Sequence, residues 1–70
     1  MKNFAMLEKA QALVNTSVED MQSGLWGYTT QADLEVLRMT YALCRRRRER
    51  TKCKFLAAKI RGLEKELKKA

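Results

Sequence analysis

The sequence predicts an all-α protein: a helical hairpin with a long or kinked basic C-terminal helix, two to three helices in all. Three observations carry that expectation. The 70 residues contain no Pro and three Gly, so long stretches lack any helix breaker. Apolar residues recur at alternating spacings of three and four, the signature of one helix face. Two of the three glycines fall within Ser23–Thr30, which leaves a single clear connector. With 46% hydrophobic and 33% charged residues, the composition is that of a folded chain and not of a disordered tail.

Helix one is expected over about residues 3–22, where Phe4, Leu7, Gln11, Val14, Val18, Met21 and Leu25 form one stripe. Thr16, with Glu19 three residues on, resembles a capping box within Asn15-Thr16-Ser17, but the unbroken stripe favours continuity. The connector over residues 23–30 follows. Thr30, with Asp33 three residues later and Leu34 next, is an N-cap signature, and Asp33 and Glu35 suit the positive end of the helix dipole. Beyond it only Gly62 weakens a helix spanning residues 31–70, which would be about 60 Å long if continuous.

That long segment carries two apolar stripes. Leu34, Leu37, Tyr41 and Cys44 form the first, and Cys53, Leu56, Ile60, Leu63 and Leu67 form the second, rotated by roughly 100°. The first stripe can pack on helix one. The second needs either a bend near Arg47 to Thr51 that folds the chain back, or a second copy of the protein. Its 3, 4, 3, 4 spacing is a coiled-coil pattern, and a single 70-residue domain (residues 1–70) buries only about 60% of its unfolded surface. Cys53, Leu56, Ile60, Leu63 and Leu67 are therefore assigned to a dimer or partner interface, and self-association is expected.

Charge is the most informative property. Between Arg45 and Arg61 stand nine Lys or Arg against one Glu, an excess of +8, whereas the whole chain carries +7. Such a concentration repels itself, which points to a polyanionic partner. Four consecutive arginines, Arg45 to Arg48, offer forked donors that match phosphate geometry and stay charged at any cellular pH. Arg45, Arg46, Arg47, Arg48, Arg50, Lys52, Lys54 and Arg61 are the candidate nucleic-acid contacts, with DNA favoured over RNA and phosphates as the target. On an ideal helix Arg47, Arg50, Lys54, Arg61, Lys65 and Lys68 share one face about 30 Å long. Lys65 and Lys68 lie beside Glu64 and Glu66 and are expected to be a solvated surface.

Sequence-specific base reading is poorly supported. The only glycine turn precedes Thr30, some fifteen residues before the basic run, which does not fit a helix-turn-helix. A basic stretch followed by an apolar repeat matches a basic-region zipper in outline only, without Leu heptads or paired Asn and Arg positions. Trp26 and Tyr28 are loop aromatics of the kind that stack on unpaired bases, but the favoured expectation is that Trp26 caps the end of the core. Met6 and Met39 are expected as core fillers.

Other classes are disfavoured. With two Cys and no His, no four-ligand zinc site can be assembled, and no cofactor is implied. On one continuous helix Cys44 and Cys53 would stand about 13 Å apart on opposite faces, too far for a disulfide. Reduced thiols suit a cytoplasmic protein, or a nucleoid or nuclear one when bound to DNA. Enzymatic activity is not expected, because no nucleophile stands beside a base and no phosphate-cradling glycine loop is present. A membrane partner is disfavoured by the composition of the apolar face. A partner protein that accepts the basic or amphipathic helix is the competing expectation.

Overall fold

A continuous helix of about 60 Å has no room in this molecule, whose longest dimension is 33 Å. The computed structural model describes residues 4–69; the expected first residue of helix one, residue 3, and the last of the long helix, residue 70, lie outside them. The described residues form four α-helices and no strand: α1 Phe4–Val14, α2 Val18–Gly24, α3 Gln31–Arg46 and α4 Arg50–Lys69, with a 3₁₀ turn over Leu25–Gly27. Four helices replace the expected two to three because both long helical stretches break.

The first break lies at residues 15–17. Ser17, in an extended conformation, is the N-cap of α2, and its hydroxyl accepts from the Asp20 amide at 3.1 Å. Thr16, the cap candidate that the unbroken stripe spoke against, instead donates its hydroxyl back to the Leu13 carbonyl at 2.6 Å and closes the end of α1. The break resets the helical phase. α1 buries Ala10, Leu13 and Val14, while Phe4, Leu7 and Gln11 of the expected stripe face solvent. Met21 and Leu25 remain buried.

At the start of α3 the capping box forms with both bonds in place. The Thr30 hydroxyl accepts from the Asp33 amide, and the Asp33 carboxylate accepts from the amides of Thr30 at 2.9 Å and Thr29 at 2.8 Å. The Thr30 amide bond is the main reason the Asp33 carboxyl titrates below its ordinary range. α3 is the central helix, packed by both α1 and α4. It consequently buries Val36 and Thr40 beyond the expected Leu34, Leu37 and Cys44. Thr40 tolerates complete burial because its hydroxyl donates to the Val36 carbonyl at 2.7 Å.

The second break, at Arg47–Glu49, turns α4 back onto α3. Leu56 and Leu63 enter the same core cluster as Leu34, Leu37 and Cys44, with Cys53, Ile60 and Leu67 partly buried against it. The second apolar stripe is therefore covered by the chain's own helices, and the reason for assigning it to a second copy is removed. Cys44 and Cys53, expected on opposite faces of one helix, are brought into this one cluster as free thiols, and burial raises the Cys44 pKa. Arg38 adds a surface tie across the two helices, 2.6 Å from Glu64 and 3.2 Å from Glu35.

Candidate nucleic-acid interface

The turn between α3 and α4 is built by main-chain hydrogen bonds at a helix C-terminus. The Arg48 amide donates to the Arg45 carbonyl at 3.1 Å and the Glu49 amide to the Cys44 carbonyl at 3.0 Å, the paired bonds of a Schellman motif. Its geometry requires a left-handed residue, usually Gly, and here Arg48 occupies it with φ of 60°. Four arginines in sequence thus do not continue the helix. They climb its last turn and then reverse direction, so that Arg45 and Arg46 lie on α3, Arg47 and Arg48 in the turn, and Arg50 on α4.

What holds this turn against the body of the protein is a lysine. The Lys52 ammonium donates to the carbonyl of Val14, the last residue of α1, at 2.8 Å and pairs with Glu49 at 2.9 Å; its side chain is only 12% exposed. Among the candidate contacts Lys52 is therefore a clamp that caps α1, and it is withdrawn from any external anion. Arg47 is exposed but donates to the Asn15 side chain at 2.7 Å, a second tie to the same break. Glu49, the single acid between Arg45 and Arg61, is half-buried, with one carboxylate oxygen on Lys52 and the other buried without a partner. The one negative charge of the segment faces inward.

The remaining cations face outward. Arg45, Arg46, Arg48, Arg50, Lys54 and Arg61 are all exposed. Four of them line an open groove of about 650 Å³ between the end of α3 and the start of α4, together with Tyr41 and Cys53. The Arg45 guanidinium lies over the Tyr41 ring at 6.0 Å, which orients it at the groove edge. Arg61, with Lys65 and Lys68, continues the exposed cationic face along α4 beyond this groove. The arrangement presents several forked, permanently charged donors across one concavity and suits a chain of phosphates. Among the described residues no group of His, Cys, Asp and Glu is placed to hold a metal ion, and no helix is long and apolar enough to cross a membrane.

Trp26 departs from expectation. Leu25 and the half-buried Tyr28 close the end of the core, and Trp26 stands 83% exposed beside them. The 3₁₀ turn causes this by tightening the chain after α2, which keeps Leu25 in phase with Met21 and turns the next side chain outward. The sequence carries no signal for this, since a helical or a looped Leu25-Trp26 reads the same. Met6 and Met39, expected as core fillers, are half-buried and belong neither to the core cluster nor to the side chains packed against it. Comparison with protein families, curated proteins and solved structures gives no match to this chain. The geometry alone carries the functional reading.

Proposed function

We propose that this protein binds nucleic acid through its phosphates, DNA in preference to RNA, in an accessory regulatory or architectural role. Arg45, Arg46, Arg48, Arg50 and Lys54 make the contact and Arg61 extends it. The observation that supports this reading is the division of labour in the turn. One cation, Lys52, pairs with the only acid of the segment and anchors the turn, which leaves the surrounding arginines exposed on an anchored backbone. A self-repelling cluster held open by structure has its natural complement in closely spaced negative charge. The reading requires no second copy of the chain and no base-specific contact.

Titration of binding to a generic duplex between about 50 and 200 mM salt tests it. About five phosphate contacts correspond to a loss of roughly 10²-fold or more in affinity over that range. Binding that ignores salt, or that is absent at low salt, overturns the proposal. Retention of an acidic protein in place of either nucleic acid would favour the docking-module reading instead. The polar replacement of Leu56 that would test a partner-facing stripe is uninformative here, because Leu56 is fully buried and its loss removes the fold.

A further inference from the structure

Trp26 lies outside the cationic groove and belongs to a second concavity, of about 280 Å³, lined by Gln22, Leu25, Trp26, Phe55 and Lys59. Its parts come from three elements: Gln22 from α2, Leu25 and Trp26 from the 3₁₀ turn, and Phe55 and Lys59 from α4. The indole is almost fully exposed, Phe55 and Lys59 of the lining are half-buried, and Gln22 is exposed. We propose that this concavity is a stacking site for one unpaired nucleobase, so that the protein distinguishes single-stranded from paired nucleic acid. The inference rests on the nucleic-acid reading above.

Three features select this ligand. An aromatic face stacks on any base, because every base has a π-surface, but only on one that is not already stacked and paired. Gln22 can pair with a base edge, and Lys59 supplies a point charge for the adjoining phosphate. The site lies on the other flank of α4 from the cationic groove, with no lining residue in common, but close to it: Lys54 of that groove and Phe55 of this one are consecutive, and Arg50 and Lys59 lie only about 13 Å apart along the helix axis. A strand whose phosphates follow the arginines needs only to cross α4 to bring a base over Trp26.

A protein-docking surface would look different. Such interfaces place their aromatic anchor within a contiguous apolar area of several hundred Å². The other large apolar side chains exposed among the described residues, Phe4 and Leu7, lie on α1 and do not line this concavity. The apolar surface at Trp26 is the exposed indole with the half-buried Phe55 and the edge of Leu25 beside it, a scale that suits a base.

Trp26 is the only tryptophan of the chain, so its fluorescence reports on the site directly. Four probes of equal length are added to the intact protein: a deoxythymidine oligonucleotide, its uridine counterpart, an oligonucleotide lacking bases, and a duplex. Quenching by the first two, in proportion to their DNA or RNA preference, with little response to the last two, is the expected result. In parallel, anisotropy of labelled oligonucleotides with Trp26→Ala should show about a 5- to 100-fold loss of single-strand affinity with duplex affinity unchanged. The side chain is exposed, and far-UV circular dichroism of the variant verifies the fold. Equal quenching by the abasic strand or the duplex overturns the inference. So does equal loss on single strand and duplex in Trp26→Ala, or an emission shift that depends on protein concentration alone, which would place a second copy on Trp26. Salt-dependent binding with unchanged Trp26 emission removes this inference and leaves the proposed function standing, whereas no binding of any probe removes both.

Discussion

The two ends of α3 are stabilised in opposite ways. At its start, Thr30 and Asp33 satisfy three backbone amides with neutral and negative groups placed where the helix dipole favours them. At its end, the main chain makes equally good bonds, but the residue in the left-handed position is an arginine, and four of five consecutive residues from Arg45 are cations. The first end is built for stability alone. The second accepts backbone strain and charge repulsion, and needs Lys52 and Asn15 from outside the turn to hold it. The end that carries strain and repulsion is the one to which the proposed nucleic-acid contact is assigned.

Breaking the clamp is the strongest perturbation of this contrast. Lys52→Ala leaves the Val14 carbonyl and the Glu49 carboxylate without their partner, and is expected to cost about 2–3 kcal/mol in urea unfolding. Lys54→Ala, an exposed neighbour two residues on, should stay within about 0.5 kcal/mol. Equal losses in the two variants would show that Lys52 carries no special load.

At the opposite end, Thr30→Ala should cost about 1 kcal/mol and leave nucleic-acid binding unchanged. The Asp33 carboxyl titrates lower in the folded protein than in the unfolded chain, chiefly because of the Thr30 amide. Its contribution is therefore complete above the ordinary carboxylate range near pH 4, and is lost as pH falls through the lower folded value. Unfolding midpoints measured downward from about pH 5 should show this acid-side decline in the native chain and a shallower one in Asp33→Asn.

The smallest effect in energy separates stability from function most cleanly. Arg48→Gly relieves the left-handed strain, offset in part by the added freedom of the unfolded chain, for a net gain of about 0.5 kcal/mol. The same change removes one phosphate donor, so the slope of log affinity against log salt should become shallower by about 1 on a duplex. A variant that is more stable and binds less well assigns the arginine to the partner. A variant that binds as before assigns it to chance.

These contrasts also show what the sequence discloses. Thr30 and Asp33 were legible because a cap is a matter of residues three apart. The stripe Leu56, Ile60, Leu63 and Leu67 was legible as a stripe, but not its covering, which depends on whether the chain continues or reverses at Arg47–Glu49. Nothing in four arginines announces a reversal, since the left-handed residue at such a turn is ordinarily Gly. Lys52 stood among look-alike cations, and its partner Val14 is 38 residues away. The break at Ser17 was visible as a competing capping signal one residue early, at Thr16. The exposed cations Arg45, Arg46, Arg48, Arg50, Lys54 and Arg61 were found because charge density survives any error in helix boundaries.

The link between Lys52 and Val14 has a thermodynamic consequence. An unfolded chain keeps every positive charge of the segment and attracts polyanions too, but it has no fixed turn. A ligand raises the melting temperature only by the margin with which it prefers the folded form. The thermal shift produced by a nucleic acid, set against that produced by a flexible polyanion of equal charge density such as polyphosphate, therefore isolates the free energy due to the arrangement of the arginines from that due to their number. A chain of pure charge would show no difference between the two ligands, and a turn secured across the molecule by one partly buried lysine should.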